Sequence, residues 1–220
     1  SLIEWYDEHG VTVLHAWGMT EMAPIGTVSY LKSTVADAST ETLQQKRTKQ
    51  GLGVPGLEFR LRDDSGAVVP WDGESIGELQ VRGPWVTTEY VSQTADADSA
   101  FDDGWLKTGD IVTIDSEGYV NLVDRRADVI TSGGEWISSV ELENAIMDLQ
   151  SVEEASVIGV PDERWQERPV AFVVPTADAD TDSLPETISE HLTAEYPRWW
   201  IPDAIKFVET VPKTSTGKFA

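Results

Sequence analysis

The sequence of 220 residues contains no cysteine. That excludes disulfides, thiolate catalysis and Cys-ligated zinc. Histidine is scarce too. His9, His15 and His191 are scattered, and no paired H-x-x-x-H spacing occurs. Each reads as an ordinary surface or strand residue rather than a metal ligand. No stretch approaches the about 20 consecutive apolar residues that a membrane helix needs, and the mean hydropathy is -0.26. No stable membrane insertion is expected. The chain has no basic-then-apolar start, so no secretory signal is read there and a cytoplasmic location is expected. Positive charge is the remaining shortage: 16 Lys and Arg stand against 39 Asp and Glu, a net charge of -23. Phosphate backbones and anionic membrane surfaces are bound by positive patches, so neither nucleic acid nor such a membrane is an expected partner. The acid is spread along the whole chain. A surface of that kind suits high salt, where screening makes repulsion tolerable. A salt-rich cytoplasm is the reading, with an ordinary acidic cytosolic enzyme as the alternative.

Apolar residues make up 40% of the chain, enough to bury a core in one large domain or two small ones. Ser1 to Glu8 reads as the end of a helix stopped by Gly10, and Val11 to Trp17 as a short buried strand. Lys32 to Gln50 reads as a helix plus a surface loop. From Gly51 to Tyr90 the pattern turns to short antiparallel strands, with Asp63-Asp64-Ser65-Gly66 as a turn. Gly104 to Thr113 and Tyr119 to Val123 continue it around the turn Asp115-Ser116-Glu117-Gly118. The polar run Asp124-Arg125-Arg126-Ala127 marks a domain boundary, giving domains 1–123 and 124–220. Beyond it, Val129-Ile130 and Trp136-Ile137 flank a Gly133-Gly134 turn. Ser138 to Gln150 reads as a helix, with Ser138 and Glu141 in the capping-box spacing. Strands are expected at Val152 to Val160, Pro169 to Val174 and Ala204 to Val208, with a helix over Leu184 to Glu195. The mixture makes a small α+β domain.

Four segments carry polar groups in chemically useful order. In Trp17-Gly18-Met19-Thr20-Glu21, an aromatic, a glycine, a hydroxyl and a carboxylate follow a strand. Such a set can stack on a base, let a ligand approach the backbone, hold a phosphate oxygen and bind Mg²⁺. A plain turn with a core Trp would look the same. Asp103 to Asp110 ends on a carboxylate that could accept both hydroxyls of a ribose, with Gly109 freeing the backbone to aim Asp110 inward. Its bland counterpart is a polar hairpin corner. Asp124 to Ile130 is followed by Ser132-Gly133-Gly134-Glu135-Trp136. Pro212 to Lys218 ends in Gly-Lys, able to bring a cation to developing negative charge. The leading glycine and the strand-loop-helix setting of a P-loop are missing, so that reading is rejected.

In order and spacing, these segments resemble the adenylate-forming superfamily of acyl-CoA synthetases, peptide-synthetase adenylation domains and luciferases. The aromatic-Gly-x-Thr-Glu, Gly-Glu-Leu-x-Val-Arg-Gly, Trp-Leu-x-Thr-Gly-Asp, Asp-Arg and Pro-x-Thr-x-x-Gly-Lys motifs all occur in family order. The Ser-Gly-Gly-Glu-Trp-Ile-Ser-Ser segment looks most like the medium- and long-chain fatty acid branch. The resemblance implies an α/β and α+β fold: the end of a large AMP-binding domain with a distorted β-barrel, then a small α+β lid. It implies an AMP-forming fatty acid-CoA ligase that uses ATP, Mg²⁺ and CoA. By the same resemblance Trp17 stacks on adenine, Gly18 borders the acyl carboxylate, Thr20 binds phosphate and Glu21 holds the metal. Asp110 takes the ribose, Arg125 contacts ribose or phosphate, and Lys218 bridges the carboxylate and the adenylate. Gly133 and Gly134 line the pantetheine tunnel, with Glu135 beside them, and Trp136 borders it or is a plain core residue. Ala127 falls at the hinge.

Three positions depart from the family pattern: Ala127 where Asp or Lys is usual, Thr131 where many relatives have Lys, and Ala16 where glycine is common. The Ser/Thr/Gly-rich phosphate loop and most of the acyl pocket are expected upstream of Ser1. Both ends read as cut, so the 220 residues alone are expected not to catalyse adenylation. Two other readings remain, an adenylation domain loading a carrier protein and a non-catalytic nucleotide- or CoA-binding module. The retention of Glu21, Asp110, Arg125 and Lys218 counts against the second. Oligomeric state is open, a homodimer included.

The charge reading has a direct test. The chain should unfold in dilute buffer and refold in molar KCl, followed by circular dichroism. Equal stability in both would remove the high-salt reading.

Overall fold

The computed structural model describes residues 2–91 and 99–212. The chain separates into two units, Ser1–Val123 and Asp124–Ala220.

The first unit holds helices α1 (Leu2–Glu8) and α2 (Thr40–Thr48) and strands β1 (Ala16–Trp17), β2 (Thr27–Val28), β3 (Gly51–Gly53) and β4 (Glu58–Arg62). It continues with β5 (Gly77–Arg82), β6 (Phe101–Asp102), β7 (Trp105–Ile114) and β8 (Tyr119–Arg125). These strands form one sheet in the order β1-β2-β3-β8-β7-β5-β4, with β6 paired to β7. β7 is the spine. Leu106, Val112 and Ile114 enter a core with Met22, Leu61 and Leu79. The expected strand over Val11 to Trp17 shrinks to Ala16–Trp17. Val11 and Leu14 are exposed, so the β-rich composition there buries little.

α2 has no buried residue. A helix polar on all sides needs a hold other than an apolar stripe. Ser39 caps its start, accepting from the Thr42 N–H at 3.2 Å. Near its end, Lys46 Nζ lies 2.7 Å from both Asp115 Oδ2 and Glu117 Oε2, and Lys49 Nζ lies 2.9 Å from Asp115 Oδ2. Asp115 opens the β7–β8 turn, where its Oδ1 accepts from the N–H groups of Glu117 and Tyr119 at 3.1 and 3.0 Å. One carboxylate thus closes the hairpin turn and holds the helix against it.

The second unit contains β9 (Ile130–Ser132), β10 (Glu135–Ile137), α3 (Ser139–Met147), β11 (Val152–Asp162), β12 (Gln166–Pro175), α4 (Leu184–Glu195) and β13 (Ala204–Phe207). The sheet order is β10-β9-β12-β11, with β13 added parallel to β12. Leu184, Ile188 and Leu192 recur every four residues on α4, and all are buried in one core with Leu142 and Ile146 of α3 and Val157 and Val173 of the sheet. This is the α+β architecture expected from the intermixed patterns. α3 is shorter than the expected Ser138 to Gln150. Ser138 is its N-cap, accepting from the Glu141 N–H at 3.1 Å, which is one half of a capping box. No helix among the described residues is long and apolar enough to cross a membrane.

Burial alone pushes the Asp115 carboxyl up, but the hydrogen bonds from Lys46, Lys49 and the Tyr119 N–H outweigh it and hold the pKa at about 2. Its contribution is therefore full above the unfolded value of about 4 and is lost as pH falls towards about 2. Asp115→Asn should cost roughly 2 kcal/mol at pH 7 by urea unfolding and flatten the loss of stability between about pH 4 and pH 2.

Candidate functional site

The loop between β1 and β2 carries the first polar segment. Thr20–Met22 forms a single 3-10 turn, and Met22 is fully buried, which anchors the loop in the sheet core. Thr20 is left exposed and Glu21 half-buried on the turn. Gly18 is required by the chain itself. A Cβ there would lie 1.9 Å from the Pro24 carbonyl oxygen, so the loop folds back over this position. Sequence reasoning gave that closeness to a ligand. The structure gives it to residues 24–26 of the same loop.

Trp17 and Asp110 are 93 residues apart and meet. The indole Nε1–H donates to Asp110 Oδ2 at 2.8 Å. Asp110 is 3% exposed, so its carboxylate would be costly without such a donor. Its position comes from an irregularity in β7. Glu78 pairs with Ile111 and Gln80 with Lys107, so Thr108, Gly109 and Asp110 stand opposite Leu79 alone. Gly109 turns this bulge at φ +71°. The Thr108 hydroxyl pins it, donating to the Leu79 carbonyl at 2.8 Å and accepting from the Asp110 N–H at 3.1 Å. A bulge re-aims a side chain that strict alternation would send elsewhere. The first half of the same segment is a hairpin corner, as its bland reading had it: Asp103 and Gly104 both take positive φ between β6 and β7.

Glu21 has a partner that sequence reasoning missed. The Tyr90 hydroxyl donates to Glu21 Oε1 at 2.9 Å, and the Thr87 N–H donates to the Glu21 carbonyl at 2.8 Å. No local pattern links positions 69 residues apart. Mg²⁺ typically takes one or two carboxylates and completes its shell with substrate phosphates and water. A half-buried carboxylate beside the Thr20 hydroxyl fits that demand. Among the described residues no cluster of three or more His, Asp or Glu forms a metal cage.

In the second unit, Asp124, which opens the Asp-Arg motif but was given no role of its own from the sequence, is buried. Its Oδ2 accepts from the Ser139 N–H and hydroxyl at 2.7 and 2.8 Å, and its Oδ1 from the Arg125 N–H at 2.7 Å. The segment is thereby held at the start of α3, where a helix favours negative charge. The Arg125 carbonyl then accepts from the N–H groups of Asp128 and Val129 at 2.9 and 2.8 Å. Ala127 sits exposed inside that closed turn, and the Arg125 side chain is exposed. A cavity of about 490 Å³ lies here, lined by Asp124, Arg125, Ala127, Glu143 and Glu167 among others. Burial, followed by Asp124 and Asp128, pushes the Glu143 carboxyl up, against a hydrogen bond from the Val157 N–H.

Gly133 and Gly134 are the two-residue turn between β9 and β10, at φ +63° and +88°. A hairpin of this type needs positive φ at both positions, so the turn alone explains both glycines. Gly133 and Glu135 border a second cavity of about 520 Å³ with Trp165, Arg168 and Trp199. Trp136 projects to the other face of β10, with the Arg126 guanidinium 5.2 Å from its ring. Lys218 lies outside the described residues, as does all of the Pro212 to Lys218 segment beyond Pro212.

A family model for the AMP-binding enzyme matches residues 1–91, and one for the AMP-binding enzyme C-terminal domain matches residues 141–218. The chain is 44% identical over its whole length to a long-chain-fatty-acid–CoA ligase of Thermus thermophilus and covers 40% of that protein. It is 40% identical to a medium-chain-fatty-acid–CoA ligase of Ectopseudomonas oleovorans, covering 98% of this chain and 39% of that one. The chain thus spans about two fifths of the curated relatives it matches. Among solved structures, o-succinylbenzoate CoA synthetase from Bacillus subtilis, in complex with its acyl-adenylate intermediate, superposes with a TM-score of 0.80 at 28% identity, over 99% of this chain and 42% of that one. With two models of one enzyme family matching in order along it, the chain belongs to the AMP-binding enzymes.

Proposed function

We propose that this chain is part of an AMP-forming fatty acid-CoA ligase. Residues 1–123 would close its large AMP-binding domain and residues 124–220 form its lid. The observation that carries the reading is the meeting of Trp17 and Asp110 beside the Thr20-Glu21 turn. A base-stacking aromatic and a ribose-binding carboxylate have to adjoin, and a phosphate hydroxyl has to follow within a few residues. The fatty acid class is supported by the long- and medium-chain ligases among the relatives.

The reaction joins a carboxylate to the α-phosphate of ATP with loss of pyrophosphate, then passes the acyl group to the thiol of CoA with loss of AMP. Trp17 offers a face to the adenine while its N–H holds Asp110 in place. A carboxylate has about four lone-pair sites, so Asp110 can accept from the ribose hydroxyls as well as from Trp17. Thr20 donates to a phosphate oxygen, and the Gly18 backbone borders the acyl carboxylate on the side away from residues 24–26. Glu21 would hold Mg²⁺, whose bound form offsets phosphate charge during adenylation. Arg125 reaches ribose or phosphate from the turn that Asp124 holds. Lys218 adds a cation where the carboxylate attacks. Gly133, Gly134 and Glu135 border the path of the CoA pantetheine, with Trp136 on the opposite face of the same strand. Ala127 is the proposed hinge of the lid, with no polar side chain of its own at that position. The net charge of -23 supports a salt-rich cytoplasm as the place of action.

In the whole enzyme, Lys218→Ala should lower adenylate formation by about 10²-fold or more. Thioester formation from supplied acyl-adenylate should be largely spared. Equal loss of both half-reactions would contradict the role. Gly134→Leu would strain the turn whatever the tunnel does, so Gly134→Asn is the better probe, since Asn tolerates positive φ. It should slow CoA transfer and spare adenylation. Unchanged CoA turnover would remove the tunnel assignment.

A further inference from the structure

We propose that Tyr90 is a positioning residue for Glu21: its hydroxyl occupies one carboxylate oxygen, Oε1, and so presents the other, Oε2, to the metal–phosphate group. The inference rests on Glu21 being the metal carboxylate, and it adds a residue outside the segment that carries Thr20 and Glu21.

Glu21 stands on a short turn of three residues, and a glutamate has three side-chain torsions to fix. Met22 pins the backbone through burial, but that does not orient the carboxylate. The orientation comes from the segment after β5. Val86 is buried there and its N–H donates to the Gly83 carbonyl at 3.2 Å, which turns the chain towards the loop. The Thr87 N–H takes the Glu21 carbonyl at 2.8 Å, and the Thr87 hydroxyl donates to the Glu89 carbonyl at 3.0 Å, shaping the approach to Tyr90. The Tyr90 ring then packs on Phe101, with centroids 5.7 Å apart. Phe101 is itself held in the sheet by pairing with Leu106 of β7. A rigid ring with two torsions delivers the hydroxyl to Oε1 at 2.9 Å. Backbone and side chain of Glu21 are therefore tied to the same segment.

The chemistry of the pair is one-directional. An ionised carboxylate only accepts, so the phenol is the donor. Among the described residues this hydrogen bond is the one made to the Glu21 carboxylate. A metal carboxylate held by an outer partner is fixed before the metal arrives, and losing such a partner typically weakens metal affinity about 10- to 100-fold.

The test uses the whole enzyme with Mn²⁺ in place of Mg²⁺ and a non-hydrolysable ATP analogue. Bound Mn²⁺ is read by electron paramagnetic resonance, without turnover. Tyr90→Phe keeps the ring on Phe101 and removes the donor. It should weaken Mn²⁺ about 10- to 100-fold, while the urea midpoint and metal-free affinity for the analogue stay at the parent values. Glu21→Gln should weaken Mn²⁺ more, and the double variant should bind it no worse than Glu21→Gln alone. Parent-like Mn²⁺ affinity in Tyr90→Phe, with Glu21→Gln impaired, overturns the role of Tyr90 and leaves Glu21 as the metal residue. Additive losses in the double variant overturn it too, since they show that Tyr90 acts elsewhere. Parent-like affinity in Glu21→Gln overturns the metal reading of Glu21 itself.

Discussion

The hydrogen bond from Trp17 to Asp110 is the constraint on which the first unit depends. A carboxylate 3% exposed in a strand of the central sheet would be expensive if left without a donor. The indole N–H supplies one from β1, the edge of the strand order. To reach it, β7 must break alternation, and the three residues Thr108, Gly109 and Asp110 facing Leu79 are that break. The rest follows in sequence. The bulge needs positive φ, hence Gly109. The bulge needs an internal tie, hence the Thr108 hydroxyl. The Trp17 ring packs against its own loop, hence Gly26, where a Cβ would come within 2.6 Å of it.

A chain with so few cations uses them locally. Lys46 and Lys49 converge on Asp115, which fastens a helix that buries nothing. Arg60 and Arg82 both lie over the Trp105 ring, at 4.6 and 4.5 Å from its centroid. Arg168 binds Asp203 through two nitrogens and also donates to the Trp199 carbonyl, tying β12 to the segment before β13. These are bidentate or partly buried arrangements, in which a charge pair contributes more than at an open surface. The excess acid has no such partners in number, and its repulsion is what salt would screen.

Much of this was legible because it is local. The apolar stripe of α4 follows from spacing within Leu184 to Glu195, and the turn at Asp115 to Gly118 from its residue types. The motif residues Trp17, Thr20, Glu21 and Asp110 were readable as a set from order along the chain. Contacts across the sequence were not. Tyr90 meets Glu21 and Asp124 meets Ser139 through packing that brings distant segments together. The strand over Val11 to Trp17 failed for a related reason. β-branched and apolar residues there satisfy a strand pattern, but pairing with β2 starts only at Ala16.

The glycines show why motif reading alone assigns chemistry too readily. Gly18 is fixed by the Pro24 carbonyl, Gly109 by the bulge, and Gly133 with Gly134 by a two-residue hairpin. Each has a sufficient reason inside the chain before any ligand is considered. The carboxylates differ among themselves in the same respect. Asp110 and Asp124 are buried and held by donors within the fold, Asp110 through Oδ2 and Asp124 through both carboxylate oxygens, so they set geometry whether or not a substrate is near. Glu21 is half-buried on an exposed turn, where folding needs no acid. A hydroxyl brought 69 residues along the chain to hold that one carboxylate has no role in closing the core. What it does fix is the direction in which Glu21 points, and direction is what a metal or phosphate ligand would need.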